Sequence, residues 1–124
     1  MKRVLVIDDN ALNAELAKVI LTRAGYQVSV VERADLAADF MTGNTVDVIL
    51  TDISMPGMSG KDLCRSLRAK MGDRCPRMVA YTAFAMEHQR ISILEAGFDA
   101  LVVKPVLAEA LTRAIEPEAA VAAV

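Results

Sequence analysis

At four places the chain puts reactive side chains directly after a short apolar run. Val4-Leu5-Val6-Ile7 leads into Asp8-Asp9, and Val46 to Thr51 leads into Asp52. Arg77 to Tyr81 leads into Thr82-Ala83, and Ala100 to Val103 into Lys104-Pro105. Brought together, these residues supply three carboxylates, a hydroxyl and an ammonium. Three close carboxylates repel and raise one another's pKa. A shared site therefore calls for a hard divalent cation, and Mg²⁺ takes one or two carboxylates together with waters and phosphate oxygens. Lys104 can hold a phosphoryl oxygen as a point charge, and Thr82 can donate a hydrogen bond to another. A carboxylate can itself attack phosphorus to give an aspartyl phosphate. That transfer needs only in-line positioning and charge neutralisation.

The elements that must position these groups follow from the pattern of apolar residues. Val4–Ile7 reads as a buried strand by its length and β-branching, and Gln27–Val31, Val46–Thr51, Arg77–Tyr81 and Ala100–Val103 read as the further strands. Longer amphipathic stretches alternate with them. The first is Ala11–Ala24, with Leu12, Leu16, Val19, Ile20 and Ala24 expected to face inward and Gly25 to stop it. Ala34–Met41 follows, with Leu36, Ala37, Phe40 and Met41 inward. Lys61–Ala69 carries Leu63, Cys64 and Leu67; Met86–Ala96 is stopped by Gly97; and Leu107–Ile115 ends before Glu116-Pro117. Met55 to Gly60 is a Pro/Gly loop. The order is (βα) five times. Strands apolar on both faces call for a parallel sheet with helices on both sides. With right-handed crossovers this is a doubly wound α/β fold, with ligands bound beyond the carboxyl ends of its strands. That edge is where the four reactive clusters fall.

Composition excludes other classes. The chain has 124 residues, one domain's worth, and its 54% hydrophobic content includes only 4% aromatics and no Trp. It offers no stacking platform for nucleic-acid bases. Fourteen Lys+Arg against sixteen Asp+Glu, with no basic block longer than two residues, give no phosphate-backbone footprint. No apolar run approaches the roughly 20 residues of a membrane span, and the N-terminal run is too short for a signal peptide. Cys64 and Cys75 lack metal-site spacing and read as reduced thiols of a cytoplasmic protein, one in the core and one in a loop. His88 reads as a surface residue, and Met71, Met78 and Met86 as apolar gap-fillers.

Each cluster alone has a plain structural reading. An Asp pair after a strand is usually a helix cap or a solvated loop, and Asn10 suits an N-cap. The ordered set is more specific. Asp8-Asp9-Asn10, Asp52 followed by Met55-Pro56-Gly57 and Gly60, Thr82-Ala83, Glu95-Ala96-Gly97 and Lys104-Pro105 resemble the receiver domain of two-component response regulators. The resemblance covers essentially the whole chain, 1–124, and implies a flavodoxin-like (βα)5 fold of strand order 2-1-3-4-5, in a stand-alone, chemotaxis-regulator-like receiver without an output domain. It implies Asp52 as phosphoacceptor. It also implies an Mg²⁺ (or Mn²⁺) site with Asp9 and Asp52 as direct ligands, Asp8 acting through water, and the backbone carbonyl of Ser54. Thr82 and the amide of Ala83 would contact the phosphoryl group, Lys104 would pair with Asp52 or its phosphate, and the Lys104–Pro105 bond would be cis. The donor would be a histidine kinase or histidine phosphotransfer protein. The output would pass by contact with a downstream protein, from a monomer or weak homodimer that turns over no metabolite. The spacing of Asn10 and Asn13 resembles receivers served by hybrid kinases.

Two positions depart from the family pattern. Leu101 stands where receivers usually carry Tyr or Phe, and has neither polar tip nor comparable reach. Leu101, Val103, Leu107 and Ala108 are therefore expected to form an apolar patch for a partner or a second copy. Phe84 should hinder the hydrolytic water and lengthen the phospho-Asp lifetime. Rival classes fit less well. An Asp-x-Asp phosphatase lacks its second Asp and its cap domain here, and a nucleotide-binding module lacks a glycine-rich loop after the first strand. A receiver fold acting as an unphosphorylated scaffold is the remaining alternative.

Overall fold

The computed structural model describes residues 2–55, 57–83, 86–104 and 107–116. Strands β1 (Arg3–Ile7), β2 (Gln27–Val31), β3 (Val48–Asp52), β4 (Arg77–Thr82) and β5 (Ala100–Val103) form one parallel sheet of order β2-β1-β3-β4-β5. Helices α1 (Ala11–Arg23), α2 (Ala34–Gly43), α3 (Gly60–Met71), α4 (Glu87–Glu95) and α5 (Ala108–Ile115) connect and cover it, as the alternating pattern requires. A short 3₁₀ turn, Gly72–Arg74, leads into β4. Strands β3 and β4 each run one residue further than the apolar runs suggest, so Asp52 and Thr82 are the last residues of their strands.

The sheet divides the core in two. Val4, Val6, Val48, Leu50, Val79, Tyr81 and Val102 face α1 and α5, where they meet Ala14, Ala17, Leu21, Leu111 and Ile115. Leu5, Ile7, Ile49, Met78 and Ala80 face the other way, against Ala37, Leu63, Cys64, Leu67, Ile93 and Phe98. Each fully buried Leu, Ile or Val contributes roughly 1.5–3 kcal/mol of transfer free energy. Cys64 is a core residue, Cys75 is half-buried and His88 is exposed, as expected.

The inward face of α1 is not the expected one. Ala14, Ala17 and Leu21 lie on the sheet, Ile20 is half-buried and Ala24 is the exposed C-cap. Leu12 is 83% exposed, and Leu16 and Val19 are exposed with it. Helix α1 carries two apolar stripes on nearly opposite faces, so period alone does not choose between them. The alanine stripe wins because small side chains let the helix approach the sheet closely. The same holds on α2, where Ala34 and Ala37 are buried and Leu36 is exposed. Met86 is also exposed rather than a gap-filler.

Candidate active site

The four clusters meet at the carboxyl edge of the sheet. In a strand alternate residues share a face. Asp8 and Asp52 therefore continue the rows of Val4-Val6 and Val48-Leu50 on the α1/α5 side, just beyond the apolar core. One carboxylate oxygen from each of Asp8, Asp9 and Asp52 lies within 4.8 Å of the others. Asp8 and Asp52 are buried, while Asp9 is exposed at the mouth. Asp8 Oδ1 accepts a hydrogen bond from the Asn10 amide at 2.9 Å, and Asp52 Oδ1 accepts one from the Ser54 amide at 3.3 Å. Asn10 also caps α1, its side chain accepting from the Asn13 amide at 3.0 Å.

Lys104 reaches into this acidic set from the end of β5. Its Nζ stands 3.3 Å from Asp52 Oδ2 and 3.6 Å from Asp8 Oδ2. Its amide donates to the Thr82 carbonyl at 2.8 Å, which fixes the backbone from which the side chain departs. Thr82 is buried at the end of β4 and Ala83 is exposed just after it. Ser54 is exposed two residues past Asp52.

Burial pushes the Asp8 carboxyl above its usual range. The Asn10 amide and Lys104 pull it down, while Asp52 and Asp9 push it further up. Asp8 Oδ2 is buried and, apart from the longer ion-pair contact with Lys104, has no hydrogen-bond partner. A buried carboxylate oxygen of this kind, beside two more carboxylates, fits a hard divalent cation coordinated by oxygen.

The loop after β3 has one position that tolerates no side chain. A Cβ on Gly60 would collide with the Asp52 carbonyl oxygen. The first turn of α3 therefore packs directly on the backbone that presents Asp52, and the Gly60 amide donates to the Ile53 carbonyl at 3.1 Å. Ser59 caps α3 by accepting from the Asp62 amide. In the sequence Gly60 shows only as a turn former; its close approach to Asp52 depends on tertiary packing.

Leu101 packs half-buried against the α2–α4 side of the core, and Val103 is half-buried as well. Leu107 and Ala108 are exposed. Of the four residues of the anticipated patch, two are thus half-buried and two exposed. Phe84 and Pro105, and with them the water path and the cis bond, lie outside the described residues.

A family model of the response regulator receiver domain matches residues 4–116. The chain belongs to this family. It is 33% identical over 116 residues to the sensor protein GacS of Pseudomonas syringae, covering 91% of this chain and 13% of that protein. It is 34% identical over 113 residues to hybrid signal transduction histidine kinase I of Dictyostelium discoideum, covering 85% of this chain and 6% of that one. This receiver therefore spans only a small part of the length of such relatives. Among solved structures it resembles the response regulator TrrA of Thermotoga maritima in complex with Mg²⁺-BeF, with 30% identity and a TM-score of 0.84 over 94% of this chain and 98% of that one. Receivers of this family are phosphorylated by histidine kinases and bind Mg²⁺ at an acidic pocket. No helix among the described residues is long and apolar enough to cross a membrane.

Proposed function

We propose that this receiver is a phosphorylation-operated switch in which Asp52 takes a phosphoryl group from a phosphohistidine of a histidine kinase or phosphotransfer protein. The observation that carries this reading is the meeting of Asp8, Asp9 and Asp52 within 4.8 Å, with Lys104 Nζ 3.3 Å from Asp52 Oδ2. An Asp52 carboxylate oxygen attacks phosphorus, the P–N bond to the donor imidazole breaks, and an acyl phosphate forms. The Ser54 amide holds Asp52 Oδ1 and so restricts rotation of the carboxylate. Lys104 balances the charge gathered on the phosphoryl oxygens, and Thr82 with the Ala83 amide donates hydrogen bonds to them. Asp9, Asp52 and the Ser54 carbonyl, with Asp8 through water, would hold Mg²⁺ (or Mn²⁺), which neutralises phosphoryl charge when bound.

The protein works in the cytoplasm and turns over no metabolite; it catalyses only the making and loss of its own phosphoryl group. Its exposed α1 stripe of Leu12, Leu16 and Val19 starts beside Asn10 at the mouth of the site and gives the donor an apolar surface to seat on. Output passes by contact with a downstream protein. A partner can shift the two states only by its differential affinity for them. The half-buried Leu101 favours a second reading, a scaffold that works unphosphorylated, because the family's aromatic is absent there. Incubation with Mg²⁺ and acetyl phosphate separates the two: the switch gains an acid-stable, base-labile phosphoryl group that Asp52→Ala lacks, and the scaffold gains none. Leu101→Lys then tests the output face, and unchanged partner affinity and oligomeric state would exclude it.

A further inference from the structure

Tyr81 is buried in the α1/α5-side core, one residue before Thr82. Its place in the sheet is specific. In register it pairs with Asp52 on β3 and with Val102 on β5. Cross-strand partners project to the same face, so the ring stands beside the Asp52 side chain. Lys104 lies two residues past Val102 on the same strand direction, and its Nζ sits over the Tyr81 ring, 4.7 Å from the centroid. That is within the range of a cation–π contact. The ammonium is thus bounded by Asp52 Oδ2 at 3.3 Å, Asp8 Oδ2 at 3.6 Å and the ring face. Its side chain is only 17% exposed, so water screens these contacts poorly.

The two carboxylates draw the ammonium in, but a flexible four-carbon chain leaves it more than one position between them. A ring face beneath it favours one of them, and does so without a charge that would compete for the carboxylates. A buried aliphatic residue would fill the same core volume but offer the ammonium nothing. The phenol is also held above its ordinary pKa by burial and by the nearby Asp8 and Asp52 carboxylates, so it stays neutral beside the site.

We propose that Tyr81 is a positioning residue for the phosphoryl chemistry, its ring face holding the Lys104 ammonium at the Asp8/Asp52 carboxylates. The rate arm of its test rests on the phosphoacceptor reading above; the spectroscopic arm does not. Tyr81→Phe keeps the ring, Tyr81→Leu removes it, and fluorinated phenylalanines at position 81 weaken the ring's negative face at nearly constant shape. In metal-free protein the Lys104 Hε protons should show an upfield ring-current shift, kept in Tyr81→Phe and lost in Tyr81→Leu. With Mg²⁺ and acetyl phosphate, Tyr81→Phe should phosphorylate within about twofold of the parent and Tyr81→Leu roughly tenfold more slowly. The rate should fall stepwise with fluorination, and in a Lys104→Met background all these differences should vanish. Unshifted Lys104 protons, a flat fluorination series, or a Tyr81→Leu loss that persists in full without Lys104 would each overturn the proposal. If Tyr81→Leu does not fold, the fluorinated series decides. If the parent takes no phosphoryl group, the phosphoacceptor reading fails, and the Lys104 proton shift still decides the contact.

Discussion

Lys104 Nζ and Asp52 Oδ2 form an ion pair at 3.3 Å, joining the end of β5 to the end of β3. The pair has two opposed effects. The ammonium competes with a divalent cation for the same carboxylates, yet it offers charge to an incoming phosphoryl group. Lys104→Met should therefore tighten Mg²⁺ binding by roughly three- to tenfold and slow phosphorylation by acetyl phosphate roughly a hundredfold. A Mg²⁺ titration followed by NMR and a phosphorylation time course measure the two; weaker Mg²⁺ binding in the variant contradicts the competition.

Gly60 is required where it packs on Asp52. Gly60→Ala drives a methyl into the Asp52 carbonyl and should cost about 1–3 kcal/mol in denaturant unfolding, while also slowing phosphorylation by moving the acceptor. Gly43→Ala is the matched control. Its Cβ meets nothing within 4 Å, so stability should hold or rise by up to about 1 kcal/mol.

The α1 stripe separates the donor from the chemistry. Leu16→Glu should leave phosphorylation by acetyl phosphate unchanged, because Leu16 lies on the exposed face of α1 and supplies no group to the acidic set. Transfer from a phosphohistidine protein should slow by roughly tenfold or more, since a charge now faces an apolar contact. Equal slowing with both donors would place the fault in the site instead.

Tyr26 sets an alkaline limit. Its hydroxyl donates to Glu116 Oε2 at 2.6 Å, and Lys2 pairs with the same carboxylate. Burial first, and then Glu116, pushes the phenol up to about 12. An unfolded tyrosine ionises near 10, so between these values the folded chain holds more protons than the unfolded one. Stability is complete below pH 10 and falls through the window to 12. The half-exposed Glu116 is partly screened, which limits the loss to about 1–2 kcal/mol. Unfolding curves of the parent should show this fall, and those of Tyr26→Phe should show less of it.

Most of the site was legible because strand alternation and a parallel sheet leave little choice. Once Asp8, Asp52, Thr82 and Lys104 each follow an apolar run, the topology brings them to one edge. Helix faces were less legible. Leu12, Leu16 and Val19 keep helical spacing as well as Ala14, Ala17 and Leu21 do, and only the room between helix and sheet selects the alanines. Tyr81 reads as core from its strand, and its part in the site rests on the path of the Lys104 side chain across its ring. The Gly60 contact depends in the same way on where α3 docks.

Everything in the site converges on Asp52 as the acceptor of a phosphoryl group. Intact-protein mass spectrometry after incubation with acetyl phosphate, with and without Mg²⁺, tests this most directly. One phosphoryl adduct is expected that needs Mg²⁺, is base-labile, and is absent from Asp52→Ala. A parent that stays unmodified, or an Asp52→Ala variant modified to the same extent, would contradict that role.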